Sequence, residues 1–311
     1  MAFGLWRRLA RRAGLGVAMG GVETSPVRAL AVDGLIQHWD FVPGRPSKRL
    51  WLSTWWRSVV GMRRSPQHSE MKAVCPHPAW MMYFIFAPDG RLDAGHEFTL
   101  ARLREMGLPL LVICAAPSPQ AVPQCLHDMS DALYWKALSG YDFSAYSLGL
   151  HAIATGSPGA TVCVMNDSVF GPFCDIRPFI DAARWDLSGF TASSLFVPHI
   201  QSYAFILRGV EPQRLASLRR VLPTRIAFNC GSDVVMHQEL EFASAAARQM
   251  SVGAFWFSPD TERVADPTLM RPLELVEAGF PFVKRSLIGK HARFQNPQSV
   301  RALLRRLGHP V

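Results

Sequence analysis

Three polar side chains, Asn166, Asp167 and Ser168, interrupt an otherwise apolar stretch of the sequence. Four apolar residues precede them at 162–165, and a Val-Phe-Gly-Pro turn follows at once. A carboxylate flanked by an amide and a hydroxyl at the end of a strand can bind a ligand. In an ordinary turn, the same side chains bond to their own backbone. The elements around this triplet decide between the two interpretations.

Several common active-site patterns are missing from the 311 residues. The sequence contains no G-x-S-x-G motif, which disfavours a serine hydrolase of the common kind. It contains neither a phosphate-binding loop nor a G-x-G-x-x-G motif, which weakens nucleoside triphosphatase and dinucleotide-binding interpretations. No H-E-x-x-H motif and no Cys/His spacing typical of zinc occurs. The six Cys form no C-x-x-C pair and are expected to be free thiols.

Apolar runs separated by helical patterns organise the chain from residue 80 onward. The runs at 80–87, 108–116 and 161–167 are continuous, which is typical of strands buried on both faces. A helix predicted at 94–106 lies between the first two runs, and this β-α-β unit predicts a parallel sheet. In such sheets, ligands bind at the carboxyl ends of the strands. The polar triplet follows the third strand and is therefore expected at that edge.

The rest of the chain continues the alternation of strands and helices. Helices are predicted at 144–154, 175–183, 237–250, 272–281 and 296–308, strands at 225–229 and 252–259, and a short strand with a turn at 186–194. The sequence therefore predicts an α/β fold over residues 79–311, with a mostly parallel central sheet flanked by helices.

Positive charge and tryptophan are concentrated near the amino terminus. The formal net charge is +9, and residues 1–64 carry eleven Lys/Arg against three Asp/Glu, which leaves +1 for the rest. Five of the nine Trp also lie in this part. A basic, aromatic segment suits an anionic membrane surface or another polyanion. Because the rest of the chain is nearly neutral and has no known nucleic-acid module, nucleic-acid binding is disfavoured.

Residues 1–78 are predicted to form a basic, Trp-rich extension that is irregular after residue 14. Within 2–14, apolar residues share one helical face, and four arginines lie on or beside the other face, which predicts an amphipathic helix. This helix could lie on a membrane surface, fray, or dock on its own domain. No apolar run approaches the ~20 residues of a membrane span.

Ordered motifs between residues 80 and 307 resemble the rhamnan synthesis protein F family, glycosyltransferase-like proteins of bacterial surface polysaccharide assembly. The pattern is an Asn-Asp-Ser strand end, an aromatic residue with Gly-Pro, then Asp-x-x-Gly-x-Thr and His-x-Gln-Ser-Tyr. A Glu-bearing helix and a Phe-Pro-Phe-x-Lys stretch follow in the same order. The first matching positions are Asn166, Asp167, Ser168, Phe170, Gly171, Pro172, Asp186, Gly189, Thr191, His199, Gln201, Ser202 and Tyr203. The first strand lacks the polar pair of the family, and Asp266-Pro267 replaces Asn-Pro, so the donor's identity stays open.

The resemblance implies a GT-A-like sheet and a nucleotide-sugar transferase. Such folds commonly hold Mg²⁺ or Mn²⁺ on the donor diphosphate through acidic residues at a strand end, and Asp167 would supply one oxygen ligand. Asn166 and Ser168 could bond to ribose or sugar hydroxyls. The alternative is a metal-independent site that uses Lys284 and Arg285 to bind the diphosphate.

An inverting transfer also needs a general base for the acceptor hydroxyl. Asp186 is the first candidate and Glu239 the second, although Asp186 could instead cap a turn and Glu239 could be an exposed helix residue. Four polar side chains of the resemblance fit a sugar site, because hydroxyl recognition needs both donors and acceptors. They are Thr191, His199, Gln201 and Ser202. A buried cluster of satisfied polar groups is the alternative for these four.

The sequence therefore predicts a glycosyltransferase of bacterial surface polysaccharide synthesis. The donor would be a nucleotide sugar, with dTDP-L-rhamnose expected from the resemblance, and the acceptor a glycan or lipid-linked glycan. The alternative is a catalytically degenerate domain that serves as a binding or assembly protein, which the single carboxylate of the triplet favours. Either protein would act in the cytoplasm, peripherally at the inner face of the cell membrane.

Overall fold

A ten-stranded sheet forms the centre of the protein, and two small two-stranded sheets lie beside it. The computed structural model describes residues 34–44, 61–259 and 266–311. The strands are β1 Ile36–Asp40, β2 Met62–Arg64, β3 His68–Lys72, β4 Ala79–Phe86, β5 Leu110–Ala115, β6 Ala132–Lys136, β7 Ala160–Asn166, β8 Val169–Phe170, β9 Leu187–Ser193, β10 His199–Ile200, β11 Ala204–Val210, β12 Ile226–Phe228, β13 Val252–Ser258 and β14 Val283–Lys284. The amphipathic helix expected at 2–14 lies outside the described residues.

The strand order of the large sheet is β1-β13-β9-β11-β7-β4-β5-β6-β3, and β10 pairs with β9. Six strands, β4, β5, β6, β7, β9 and β13, run in one direction, while β1, β3, β10 and β11 run in the other. The sheet is therefore mixed, with most strands parallel. Together with the helices on its faces, it confirms the predicted α/β fold class with a mostly parallel central sheet.

Helices cover both faces of the sheet. They are α1 Ala94–Glu105, α2 Cys125–Met129, α3 Tyr141–Gly156, α4 Arg177–Ala182, α5 Pro212–Ser217, α6 Gly231–Val234, α7 Leu240–Ala246, α8 Pro267–Met270, α9 Pro272–Glu277 and α10 Pro297–Arg306. The core on one face contains apolar side chains of α3, α5, α6 and α7, and the core on the other contains those of α1, α2, α4 and α9. A third, smaller cluster joins α10 to β8 and β14.

The central strands are buried on both faces, as their continuous apolar runs predicted. In β4, Met82 and Phe84 face one core, while Met81, Tyr83 and Ile85 face the other. All six residues of β5 are buried as well. Because both faces of these strands are buried, a shift in strand register would move apolar side chains out of the core. The carboxyl ends of the strands are therefore fixed in position.

Two edge strands come from the part of the chain that was expected to be irregular. β1 pairs with β13, and β3 pairs with β6, so segments of the predicted extension complete both edges of the sheet. Each of the two strands alternates between exposed and half-buried residues. Without a continuous apolar run, such polar edge strands give only a weak periodic signal, which explains the wrong expectation for these segments.

The helix predicted over 237–250 is interrupted by a π-helical turn. α6 leads into this turn at Val235–Glu239, and α7 continues from Leu240. π-helical turns are often found at functional sites because the extra residue changes the direction of a side chain. Strands β6 and β11 are further differences, since the sequence analysis identified neither as a strand.

No helix in the described ranges is long and apolar enough to cross a membrane. All six Cys lie in the described part of the chain and are free thiols, but only Cys114 and Cys163 are buried, and Cys75, Cys125 and Cys230 are exposed.

Candidate functional site

A cleft of about 450 Å³ opens at the carboxyl ends of the paired strands β4 and β7, beside the segment that follows β6. Strand β4 contributes Phe84 and Phe86, and the β6–α3 connection with the first two residues of α3 contributes residues 138–142. Residues 166–168 follow β7, and Asn229 completes the wall. The polar triplet therefore lines a cavity at the edge where α/β sheets normally bind their ligands.

Asn166 combines a turn with a contact to the neighbouring helix. Its Oδ1 accepts hydrogen bonds from the backbone N–H and the hydroxyl of Ser168, at 3.0 and 2.6 Å. Its Nδ2 donates to Oδ2 of Asp142 at 2.9 Å. The two interpretations of the triplet are compatible, because the turn itself aims the amide of Asn166 at a carboxylate in the cleft wall.

Asp167 is held through one of its two oxygens. Oδ2 accepts the backbone N–H of Phe86 at 2.8 Å and lies 3.2 Å from Nε2 of His96. Nδ1 of His96 accepts the N–H of Asp93 at 3.1 Å, so the neutral imidazole carries its proton on Nε2 and donates it to Asp167. These bonds join β4, α1 and the end of β7 at the floor of the cleft.

The donor groups around Asp167 do not fit a dedicated metal site. No group of three or more His, Cys, Asp or Glu side chains is placed to hold a metal ion within the described residues. The Asp167 oxygen that accepts two N–H groups has both lone-pair directions occupied, which leaves one oxygen from this residue. A magnesium ion needs six oxygen ligands in near-octahedral geometry. A Mg²⁺ or Mn²⁺ ion at the remaining Asp167 oxygen would therefore take its other ligands from water and the donor phosphates, as magnesium commonly does.

Asp142 is a cleft residue that the sequence analysis missed. It lies in the first turn of α3, directly after the cleft-lining residues Gly140 and Tyr141. Burial, with a further contribution from the charge of Glu239, raises the pKa of Asp142 to about 6. The signal was the Gly-Tyr-Asp stretch before a helix, which becomes informative only once β6 is recognised as the preceding strand.

Tyr141 carries an exposed ring in an unusual backbone conformation. Its φ is 48°, in the left-handed region that costs a non-glycine residue about 1–2 kcal/mol, and 48% of its surface is exposed. Phe86 across the cleft is 44% exposed. Strained residues of this kind are concentrated at ligand sites, where the surrounding structure holds them in place. Two aromatic surfaces are thus available to a ligand in the cleft.

Three of the predicted residues lie in a charged cluster beside Asp142. The ammonium group of Lys284 lies 4.1 Å from the ring centre of Tyr203, and its charge is favoured by Asp266, Glu239 and Asp142. Burial nevertheless lowers the pKa of Lys284. Oε1 of Glu239, at the end of the π-helical turn, accepts the backbone N–H of Ser202 at 3.1 Å. The structure thus brings Glu239, Lys284 and Ser202 together.

Two of the remaining predicted sugar-site residues, Thr191 and Gln201, belong to a buried hydrogen-bond chain. Thr191 donates its hydroxyl proton to Oε1 of Gln201 at 2.5 Å and lies 2.6 Å from the hydroxyl of Tyr203. Nε2 of Gln201 donates to Oδ2 of Asp266 at 3.0 Å. His199 is buried separately, with Nδ1 donating to the carbonyl of Val197 at 2.8 Å. These bonds are those of the alternative, a buried cluster of satisfied polar groups. Through Asp266, the cluster interacts electrostatically with the charged group of Lys284.

Asp186, the first candidate for the general base, lies at the amino ends of the parallel strands, whereas the cleft lies at their carboxyl ends. It directly precedes β9. Leu207 of β11 pairs with both Leu187 and Val162, so the start of β9 is aligned with Val162, near the start of β7. Along β9, the five-residue step from Asp186 to Thr191 spans about 16 Å. Its carboxylate bonds to Arg214 at 2.8 Å and to Ser251, so it joins two strand starts to α5. Asp186 is therefore wrongly placed for a role in the cleft.

Arg285 is already paired with a carboxylate. Its two terminal nitrogens donate to the two oxygens of Asp93, at 2.5 and 3.2 Å, and its backbone N–H donates to the carbonyl of Ser168. Its guanidinium also lies 5.0 Å from the ring centre of Phe170. The expected contact between Arg285 and a diphosphate would have to break this bidentate pair, so the structure assigns Arg285 to supporting the loop after β7.

Comparisons with known proteins give a distant structural likeness. No known protein family matches the chain, and no curated protein matches it at a significant level. Among solved structures, it is similar to the crystal structure of 4-diphosphocytidyl-2C-methyl-D-erythritol synthase from Anaerococcus prevotii DSM 20548, with 14% identity and a TM-score of 0.38. The match covers 57% of this chain and 86% of that one. A likeness at this level supports no statement about activity, and the resemblance to the rhamnan synthesis family stays a prediction.

Proposed function

We propose that the cleft binds a nucleotide-activated sugar and transfers the sugar to an acceptor hydroxyl. The observation that carries this proposal is the composition of the cleft. Exposed aromatic rings of Tyr141 and Phe86 lie beside carboxylates of Asp142 and Asp167 that hydrogen bonds hold in fixed positions. Aromatic faces bind bases and sugar rings, and fixed polar groups select hydroxyls.

The donor is proposed to bind against the first turn of α3. This helix has 16 residues, and its first turn lines the cleft through Gly140, Tyr141 and Asp142. A nucleobase or sugar ring would then stack on Tyr141. Lys284, whose charge is favoured by Asp142, is proposed to offset the charge that develops on the leaving diphosphate, with or without a metal ion.

The acceptor would approach from the side of β9 and β11. On this side, Glu239 and Lys284 lie together, supported by the chain of Thr191, Gln201 and Asp266. Because Asp186 lies at the opposite ends of the strands, the carboxylates left to take the proton of the acceptor hydroxyl are those around the cleft, among them Asp142 and Glu239. A glycan or lipid-linked glycan of the bacterial surface as acceptor, and dTDP-L-rhamnose as donor, follow from the motif resemblance.

The extension at residues 1–78 is proposed to bring the domain to an anionic membrane surface. The described part of it includes Arg63 and Arg64, which are exposed on β2 next to Met62. Basic side chains beside an exposed apolar one suit a headgroup region. In this arrangement the protein would act peripherally, at the face of the membrane where lipid-linked acceptors are elongated.

A non-catalytic binding protein is the second candidate function. The observation that favours it is the engagement of groups expected to act on the donor. One oxygen of Asp167 is fully bonded, and the Arg285 guanidinium is paired with Asp93. Such a domain would still bind a nucleotide sugar or a glycan in the cleft but would not release a nucleoside diphosphate.

A panel of nucleotide sugars and nucleoside diphosphates tests the proposal. We expect one nucleotide class to raise the melting temperature in a saturable manner without added Mg²⁺ or Mn²⁺. Release of nucleoside diphosphate in the presence of a glycan acceptor would then establish transfer, whereas binding without release would establish the second candidate. A melting temperature that stays unchanged across the whole panel would contradict both.

A further inference from the structure

We propose that Asp142 is the general base that accepts the proton of the acceptor hydroxyl, and that Glu239 is a positioning residue that acts through it. This inference deepens the proposed function and rests on it. Neither role follows from the motif resemblance, which contains no position for Asp142.

The side chain of Asp142 is fixed by two hydrogen bonds from two different elements. Oδ2 accepts Nδ2 of Asn166 at the end of β7, and Oδ1 accepts the backbone N–H of Phe143 in α3 at 3.0 Å. Both elements are buried in the same core, so the carboxylate cannot rotate away without losing these bonds. Each oxygen keeps a lone-pair direction, and the residue lines the cleft. A fixed, accessible carboxylate is what a general base requires.

Four ionisable groups on the elements packed around Asp142 interact with it electrostatically. They are Glu239 of the π-helical turn, Lys284 of β14, Lys136 of β6 and Tyr146 of α3. The negative charge of Glu239 and burial both favour the protonated form of Asp142, which places its pKa near 6. Asp142 therefore has a greater proton affinity than an ordinary aspartate. Such a pKa, close to the working pH, suits proton transfer.

Glu239 interacts with Asp142 electrostatically, but of the two only Asp142 lines the cleft. Glu239 does not belong to the described residues that line the cleft, and its Oε1 is held by the backbone N–H of Ser202. Its position depends on the π-helical turn, which directs the last residue of that turn toward α3 and β14. From there its charge acts on Asp142, and one of its oxygens is already engaged by the backbone of Ser202. This separates the role of Glu239 from that of a group that touches substrate.

The proposed step balances as a single displacement. The acceptor oxygen forms a bond to the anomeric carbon of the donor, while the bond from that carbon to the β-phosphate oxygen breaks. The electron pair of the broken bond leaves with the nucleoside diphosphate, and the acceptor proton moves to an oxygen of Asp142. The proton is later lost to water. No oxidant, reductant or further reactant is needed.

Two variants and one control test this assignment in the full chain. Asp142→Asn keeps an oxygen and a similar shape but cannot accept the proton. We expect it to lower kcat by between about 100-fold and 10,000-fold while the Kd for dTDP or UDP changes little. Glu239→Gln should lower kcat less and should move the acidic limb of the pH–rate profile to lower pH, because it removes the charge that raises the pKa of Asp142. Asp175→Asn, at a surface ion pair with Arg177, is the matched control and should change neither.

The outcomes separate this inference from the proposed function. If wild-type protein binds dTDP or UDP and turns over a donor, but Asp142→Asn keeps its kcat, the assignment of the base is overturned and the proposed function stands. An unshifted acidic limb in Glu239→Gln would overturn the role given to Glu239. Loss of nucleotide binding together with kcat in Asp142→Asn would make Asp142 a ligand-binding residue and contradict its role as base. If wild-type protein neither binds nor turns over any nucleotide sugar, the proposed function fails first.

Discussion

Nε2 of His96 lies 3.2 Å from Oδ2 of Asp167, the same oxygen that accepts the N–H of Phe86 at 2.8 Å. This contact joins α1 to the loop after β7, and the backbone of Asp93 fixes the imidazole tautomer that makes it a donor. Asp167 therefore has a structural role in the floor of the cleft, whatever ligand the cleft binds. Substitutions at this position have to be interpreted through stability as well as through binding.

Replacing Asp167 by Ala should destabilise the protein. The change leaves the N–H of Phe86 and the Nε2–H of His96 without their partner, and each unpaired donor costs about 1–3 kcal/mol when buried. Asp167→Asn keeps an acceptor oxygen and should cost clearly less. Urea denaturation of both variants measures the difference, with the exposed Asp175→Ala as control. Equal losses for Ala and Asn would contradict the role given to these two bonds.

The pair between Asp93 and Arg285 should make stability depend on pH in the acid range. Burial alone would raise the pKa of Asp93, but hydrogen bonds from Arg285 and from the backbone of His96 outweigh it and hold this pKa at about 2. A carboxyl whose pKa falls on folding adds stability above its unfolded pKa of about 4, and this stability is lost as the pH drops toward about 2.

Asp93→Asn should therefore reduce the slope of unfolding free energy against pH between about 4 and 2. Asn still caps α1 well, so the helix start should be preserved. Urea titrations at several pH values measure this slope, and Arg285→Gln should reduce it in the same window. A slope that is identical in wild-type and Asp93→Asn protein would argue against the strong ion pair.

Tyr141→Asn should weaken nucleotide binding without destabilising the fold. Asn tolerates the left-handed conformation that Tyr141 adopts at φ 48°, and the change removes only an exposed ring. Loss of about 1–3 kcal/mol of stacking corresponds to a Kd that is about 5-fold to 150-fold higher. Calorimetric titration with dTDP or UDP measures it. His38→Asn, at another left-handed residue on the far edge strand, is the matched control. Equal affinity in the two variants would remove Tyr141 from the site.

Replacing Gly253 or Gly149 by Ala should change the stability of the protein by different amounts. A Cβ at Gly253 of β13 would come within 2.2 Å of the Trp185 ring, whose Nε1 donates to Asp40 at 2.6 Å and so cannot easily move. At Gly149 of α3, the nearest atom is the flexible end of Met82, at 2.5 Å.

Gly253→Ala should therefore cost about 1–3 kcal/mol of unfolding free energy. In Gly149→Ala, a gain of about 1 kcal/mol in helix propensity should offset much of the clash. Thermal melts of the two variants, compared with wild type, distinguish these cases. A Gly253→Ala protein as stable as wild type would contradict the packing of Trp185 across the strand that pairs with β1.

The sequence predicted the buried elements well because their pattern is local. Continuous apolar runs identified β4, β5 and β7, and the helical period identified α1 and α10. The edge strands β1 and β3 escaped detection because each has one exposed face rich in polar residues. The π-helical turn before Leu240 has the same apolar spacing as an ordinary helix, so only tertiary structure reveals it.

The site was predicted where strand direction could be inferred and missed where it could not. Asn166 and its neighbours follow an evident strand, so the carboxyl edge was clear. Asp142 follows β6, which was not recognised as a strand, so the Gly-Tyr-Asp stretch before the helix could not be assigned to the carboxyl ends of the strands. Ligands bind at the carboxyl ends of the strands, and Asp186 precedes β9. With the correct bounds of β9, this residue is therefore assigned to the amino ends of the strands, away from the cleft. The pairings of Arg285 and Asp167 join distant parts of the chain, which spacing along the sequence does not encode.

The location of the ligand is the central claim, and hydrogen–deuterium exchange with and without saturating dTDP or UDP tests it most directly. We expect slower exchange at residues 84–86, 138–143 and 166–168, and no change around Asp186 and Ser251 at the opposite edge of the sheet. Protection confined to that opposite edge, or no protection at any of the three cleft segments, would contradict the account.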